Sequence, residues 1–282
     1  MDFKRLTLND IPLVSEYFRK YYDGSSDMTI GGTFIWRDYY GTEIALFGET
    51  LVLRETRDNT YGFPLGDNSE EVIRELGEVE YSFLTEKNRD LILKIFPDSV
   101  VSTDRDYSDY VYEAEKMISL SGKSLSGQRN HISRFKREYE NFSFEEITEE
   151  NIDEAFRFFE EFEKKTDKMS ESAVEDRKKT FEVLKNFSEY KMVGAMLKVN
   201  GRVIGASVGE IMADTLIVHI EKAFYEYKGA YPMLTNLFNR RFASDLAFVN
   251  REDDAGDEGL RKNKLSYNPI KLINKYNVLV KR

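Results

Sequence analysis

The feature that most constrains this chain is the run MVGAMLKVNGRVIGASVGEI, followed almost at once by TLIVHIEKAF. Asn200-Gly201 lies between two apolar segments, and both residues accept the positive φ that a two-residue hairpin turn demands. The pattern predicts three successive strands. Ahead of them, FSFEEIT reads as a strand, followed by an acidic helix near Glu149–Lys164 with Ile152, Ala155, Phe158, Phe159 and Phe162 on one face. A second helix is expected around Val174–Asn186. Beyond the strands a helix is expected near Pro232–Asp245, since proline in a first turn sacrifices no hydrogen bond. A short strand AFVN, the polar run NREDDAGDEGLRKNKLSYNP and a closing KYNVLVKR complete this half.

The first half follows a similar plan. A helix is expected over Asp10–Tyr22, then a loop holding Trp36, then a hairpin in IALFGETLVLR turning at Gly48-Glu49. SEEVIREL and EKNRDLILKIF read as helices, with YSFLT as a strand between them. Helix pair, hairpin, strand, helix, strand is the element order of the GNAT acyltransferase fold. The expected fold class is therefore mixed α/β, in two tandem GNAT-like domains. The expected bounds are 1–120 for the first domain, 121–140 for a basic connecting helix and 141–282 for the second, which is expected to carry the active site.

Composition narrows the function. Twenty Phe and 17 Tyr can build a sizeable core, at roughly 1.5–3 kcal/mol for each buried large apolar side chain. The net charge of -10 gives no long-range attraction for nucleic acid or anionic lipid, although a local basic patch remains compatible with either partner. Without cysteine there is no disulfide, thiolate nucleophile or sulfur-ligated metal, and two histidines make a His-rich metal site a poor expectation. MDFKRLTLND lacks a signal-peptide core, and no run approaches the roughly 20 apolar residues of a membrane span. A cytoplasmic protein is expected, with peripheral contact to a membrane left open.

Two runs carry a resemblance. DYSDYVYEAEKMISLSGKSLSGQRNHISRFK and NREDDAGDEGLRKNKLSYNPIKLINKY resemble the two signatures of a bacterial family grouped with the C-terminal region of phosphatidylglycerol lysyltransferases. That resemblance implies a tandem GNAT fold, also used by Fem-type aminoacyltransferases, and transfer of an aminoacyl group from aminoacyl-tRNA to an amine or hydroxyl acceptor. The acceptor would be a lipid, a peptide or a small molecule, and no cofactor is required. The family pattern has Lys where Gln128 stands and Leu where Ala255 stands, which removes one phosphate contact and leaves the donor open between aminoacyl-tRNA and acyl-CoA.

Candidate residues follow from these runs and from the strands. The acid-free stretch 121–137 suggests an anion site at a helix amino terminus, with Lys123, Arg129, Asn130 and His131 as contacts and Gly122 and Gly127 allowing close approach; a solvated helix at a domain boundary explains it equally well. His219 and Glu221 alternate on one strand and are candidate general bases, with Glu210 as a weaker one; a core histidine and a strand-rim glutamate are the plain alternative. Asn250, Arg251, Glu252 and Asp253 stand just beyond a core strand, where ligands of α/β sheets gather, with Glu252 as a further catalytic candidate. Arg261 and Lys264, three apart, would grip phosphate together, unless this run is only surface loop. Tyr267 is placed like the GNAT tyrosine that protonates a leaving group, or is simply packed. Asp106, Tyr107, Asp109, Tyr110 and Tyr112 fit the first signature and also a joining strand. The turn EYKGAYP, 226–232, departs from the pyrophosphate pattern of acetyl-CoA enzymes through Glu226 and Tyr231. A catalytically degenerate module binding an anionic ligand or a partner protein, or an acyl-CoA-dependent enzyme, are the alternatives.

Overall fold

The computed structural model describes residues 2–165 and 171–281. It separates into two compact units. One holds the residues up to Asp109, Asp253–Asp257 and the chain from Leu272 onward; the other holds Tyr110–Glu252 and Glu258–Lys271. These bounds differ from the expected 1–120, 121–140 and 141–282: the stretch 110–140 packs with the second unit, and the last strand returns to the first.

The first unit begins with β1 (Lys4–Arg5) and α1 (Ile11–Tyr21). Two short helices, α2 (Ile30–Phe34) and α3 (Arg37–Tyr40), flank Trp36 where a loop was expected. Helices this short cannot repay nucleation alone, so periodicity does not announce them. The predicted hairpin is β2 (Thr42–Phe47) and β3 (Thr50–Glu55), followed by β4 (Thr60–Tyr61), α4 (Ser69–Leu76), β5 (Glu80–Leu84), α5 (Glu86–Ile95) and β6 (Val100–Thr103).

The chain enters the second unit at Tyr110, within β7 (Asp109–Glu113), and continues through α6 (Ala114–Ser119), α7 (Ser126–Glu138) and β8 (Phe142–Glu146). Then come α8 (Ile152–Lys165), α9 (Glu171–Lys185), β9 (Val193–Val199), β10 (Arg202–Met212) and β11 (Thr215–Ala223). The chain continues through α10 (Ala230–Phe242), β12 (Phe248–Asn250), α11 (Glu258–Leu265), β13 (Lys271–Ile273) and β14 (Tyr276–Leu279).

One sheet has the order β1-β2-β3-β4-β5-β14-β6 and the other β13-β7-β12-β11-β10-β9-β8. Each is mixed for the same reason. Antiparallel neighbours dominate, and a helical crossover makes a parallel pair in each, β4 with β5 across α4 and β11 with β12 across α10. Strands β9, β10 and β11 are buried along almost their whole length. Helix α8 buries Ala155, Phe158, Phe159 and Phe162, the face its spacing predicted. In the first unit, Ile73, Tyr81, Leu84, Ile92, Val278 and Val280 form one apolar cluster, so β14 is a core strand of that unit.

A buried ion-pair node fixes this last segment within the first unit. Lys275 Nζ lies 2.7 Å from Asp27 and 2.9 Å from Asp109, whose side chain has no exposed surface. Ser26 donates to the same Asp109 carboxylate through its amide at 2.7 Å and its hydroxyl at 2.9 Å. Burial alone would depress the lysine, but Asp109 and Asp27 outweigh it and hold the ammonium above its ordinary range. Lys275→Ala leaves these carboxylates without their cation, and is expected to cost about 3–5 kcal/mol in urea unfolding. Lys275→Met, which restores the stem's packing but not the charge, should recover little of that loss.

Candidate functional site

Parallel pairing of β11 with β12 covers only Thr215–Ile217 against Phe248–Asn250. Beyond it β11 runs on to Ala223, while the chain leaving β12 follows β7: the Arg251 amide donates to the Tyr110 carbonyl and the Tyr110 amide to the Glu252 carbonyl. The strands diverge, and charged side chains fill the wedge. A β-bulge sets His219 there, because Gly209 pairs with Val218 and Val208 with Ile220, leaving His219 without a partner on β10. Only glycine allows this approach, since a Cβ at 209 would lie 2.2 Å from the Ile217 carbonyl oxygen.

His219 is clamped at both ring nitrogens. Nδ1 lies 2.6 Å from Glu252 and Nε2 2.8 Å from Glu210, and the side chain is 4% exposed. Burial pushes the imidazole down, but the Glu252 and Glu210 carboxylates outweigh it and hold His219 up at about 10. At neutral pH both nitrogens therefore donate, and no lone pair remains for a substrate proton. The expected general-base role does not fit this geometry. Glu252 itself adopts a left-handed φ of 55°, held by the hydrogen bond that its backbone N–H donates to Asn250 Oδ1 at 2.8 Å. A non-glycine residue there costs about 1–2 kcal/mol, which the buried clamp offsets.

Glu221 is likewise committed. It accepts from Arg251 Nη2 at 2.9 Å and from Thr235 Oγ1 at 2.7 Å. The buried Arg251 guanidinium lies 5.0 Å from the centre of the Tyr267 ring. Tyr267 is 3% exposed, and burial raises its phenol to about 12 although Arg251 pulls the other way. Lys264 turns inward and donates to the Arg251 carbonyl at 2.6 Å, so it does not share an outward face with Arg261.

A cavity of about 550 Å³ does form in this unit, on the flanks of the two runs that the sequence singled out. Helix α7 contributes Gln128, His131 and Arg134, one face at i, i+3 and i+6. Helix α11 and the residues after it contribute Gly259, Lys262, Asn263 and Ser266. The floor is the turn Tyr225–Pro232 at the amino terminus of α10, Glu226 excepted. Gly229 has φ 85°, and a Cβ there would lie 2.4 Å from the His131 carbonyl oxygen, so α7 sits directly on the turn. Gln128 donates to Ser266 at 2.9 Å and ties the two walls together. Glu226 points to Lys165 instead, at 2.9 Å.

Several expected contacts lie elsewhere. Arg129 bonds the Leu120 carbonyl and, at 2.7 Å, the Gly122 carbonyl, closing the end of α6. Lys123 and Asn130 are exposed, and neither lines the cavity. The anion site expected at the amino terminus of α7 is replaced by a cavity on its flank. Asp253 belongs to the first unit, where it accepts from the Ala255 amide at 3.0 Å. Arg261 is half-buried and off the lining. The residues missed are Arg134, Lys228 and Lys262. Three-residue spacing from His131 could have found Arg134, but the rotation of α11 that favours Lys262 over Lys264 is set by packing.

Two outcomes follow. Because the folded value of His219 is raised, its contribution is complete below the free imidazole's value of about 6.5 and disappears as pH rises through the folded value. The urea midpoint should therefore fall between neutral pH and about 10, and His219→Asn should flatten that slope. Gly229→Ala should displace α7, seen as a loss of at least about 1 kcal/mol in urea unfolding.

The family described as phosphatidylglycerol lysyltransferase, C-terminal, matches residues 18–279. A conserved protein of unknown function from Bacteroides thetaiotaomicron shares 29% identity and a TM-score of 0.93, with all of both chains covered. L-PGS from Bacillus licheniformis gives 14% identity and a TM-score of 0.64 over 96% of this chain and 92% of that one. FemX gives 7% and 0.61 over 100% and 98%. The latter two likenesses concern the fold, which is the expected pair of GNAT-like mixed α/β units. An uncharacterized Mycoplasmoides gallisepticum protein is 28% identical over 175 residues, 61% of this chain and 56% of that relative, so the match spans little more than half of the relative's length. With both signature runs inside the matched residues, this chain belongs to the phosphatidylglycerol lysyltransferase C-terminal family.

Proposed function

We propose that this protein is an acyltransferase that moves an aminoacyl group from aminoacyl-tRNA to an amine or hydroxyl acceptor. One observation carries the reading. In a chain of net charge -10, the cavity lining holds Arg134, Lys228 and Lys262 and no carboxylate. Cations beside a helix amino terminus suit an anionic donor. The turn itself has few amides to spare for a pyrophosphate. The Lys228 amide donates to Tyr139 Oη, the Ala230 amide to the Tyr227 carbonyl and the Met233 amide to the Gly229 carbonyl, while Pro232 has none. Side chains must then do the gripping, which favours an RNA phosphodiester over the diphosphate of an acyl-CoA. The donor ester is already activated, so the reaction calls for no resident cofactor.

The acceptor is a lipid, a peptide or a small molecule. Relatives named for lysine transfer to phosphatidylglycerol put the lipid first for testing. Among the described residues no helix is long and apolar enough to cross a membrane, so a lipid would be met at the membrane surface. The mutual neutralisation of Glu221 with Arg251 and of His219 with its two glutamates favours a second reading, a module that binds an anionic ligand without turnover.

The test is a paired incubation with lysyl-tRNA or acetyl-CoA, offering phosphatidylglycerol vesicles, glycyl-lysine or ethanolamine as acceptors, read by mass spectrometry. Label from lysyl-tRNA is expected. Label from acetyl-CoA alone overturns the donor assignment, and tRNA binding without transfer supports the second reading. The double variant Arg134→Glu, Lys262→Glu should weaken tRNA binding at least about tenfold and lower its salt slope by about 0.7–0.9 per lost phosphate contact.

A further inference from the structure

The cavity contains a group whose chemistry neither binding nor packing uses. Its lining has no aspartate, glutamate or cysteine. The rest of the polar lining is cationic, phenolic, amide or hydroxyl: Arg134 on α7, Lys228 on the turn and Lys262 on α11, with Tyr225, Tyr227 and Tyr231. A neutral imidazole offers an unprotonated ring nitrogen that can accept a proton, and His131 brings that ring to the lining. The residue is exposed, and its ring makes no hydrogen bond or ion pair among the described residues. Its backbone, by contrast, is fixed against Gly229, and the bond from Gln128 to Ser266 holds the same helix to the opposite wall. The other histidine, His219, is excluded because carboxylates occupy both its nitrogens.

We propose that His131 is the proton acceptor for the transfer carried out in this cavity, an inference that rests on the aminoacyl-transfer reading above. The acceptor's amine nitrogen or hydroxyl oxygen attacks the carbonyl carbon of the donor ester. A C–N or C–O bond forms, and the attacking group's proton passes to the unprotonated nitrogen of the imidazole. As the tetrahedral intermediate collapses, the bond from the carbonyl carbon to the ribose oxygen breaks. The imidazolium returns its proton to that oxygen, so the base is regenerated and charge balances. The cations of Arg134, Lys228 and Lys262 hold the donor's phosphates, and Tyr225, Tyr227 and Tyr231 line the same cavity.

His131→Gln and His131→Asn test this, with lysyl-tRNA as donor and phosphatidylglycerol vesicles or glycyl-lysine as acceptor. Single-turnover rates are measured over a series of pH values, alongside equilibrium binding of uncharged tRNA. The unaltered protein should slow on acidification, since a proton acceptor must carry a free lone pair. Both variants should be slower by about 100-fold or more, with no acid limb, unchanged tRNA binding and partial rescue by free imidazole. A variant that keeps its rate, keeps the acid limb, or loses rate only in step with tRNA binding overturns the assignment. Absence of transfer by the unaltered protein overturns the functional reading itself and this inference with it.

Discussion

The second unit depends on the parting of β11 and β12 after their third paired residue. A parallel pair that simply continued would close the sheet and bury its apolar rows. Here pairing ends at Ile217 with Asn250, and β12's chain passes to β7. The wedge is filled by charge rather than by apolar side chains. Arg251 meets Glu221, and His219 meets Glu210 and Glu252, so each buried charge has a partner. Buried pairs contribute little net stability relative to apolar packing, yet removing one member is costly. Their value here is geometric: they hold two strands at a fixed separation that backbone hydrogen bonds no longer set.

That separation governs what lies beyond it. The end of β11 leads into the turn that begins α10, and α7 rests on this turn through the absence of a side chain at Gly229. The cavity is thus bounded by elements whose positions trace back to the wedge. The charged groups inside the wedge pair with one another, whereas those around the cavity are exposed, Arg134 with Glu138 beside it at 2.5 Å. Chemistry on a substrate belongs with the second set. The same logic separates His131 from His219: they share a side chain, but the partners around each one differ.

The first unit repeats the plan with another outcome. Its crossover, β4–α4–β5, also makes one parallel pair, but the next place in the sheet is taken by β14 from the far end of the chain. Lys275, just before that strand, is buried against Asp109 and Asp27. Polar burial in this unit thus secures a segment, and in the second unit it spaces two strands.

Much of this was legible from local pattern. SEEVIREL became α4 with no change of bounds, Asn200-Gly201 became the hairpin turn between β9 and β10, and the aromatic face of α8 is buried as its spacing required. Each depends on residues within one or two turns of each other, where propensity and periodicity act directly. The two signature runs likewise pointed to the family. What the sequence could not determine involves partners far apart in the chain. Whether Lys262 or Lys264 faces outward depends on the packing of α11 against Arg251 and Tyr112. His219 is a doubly bonded cation because a bulge aims it at Glu210 and Glu252. Local composition determined the strands and helices of this protein; only the tertiary fold decided which of their charges neutralise one another and which remain for a ligand, because that choice is made by distances of a few ångströms between residues tens of positions apart.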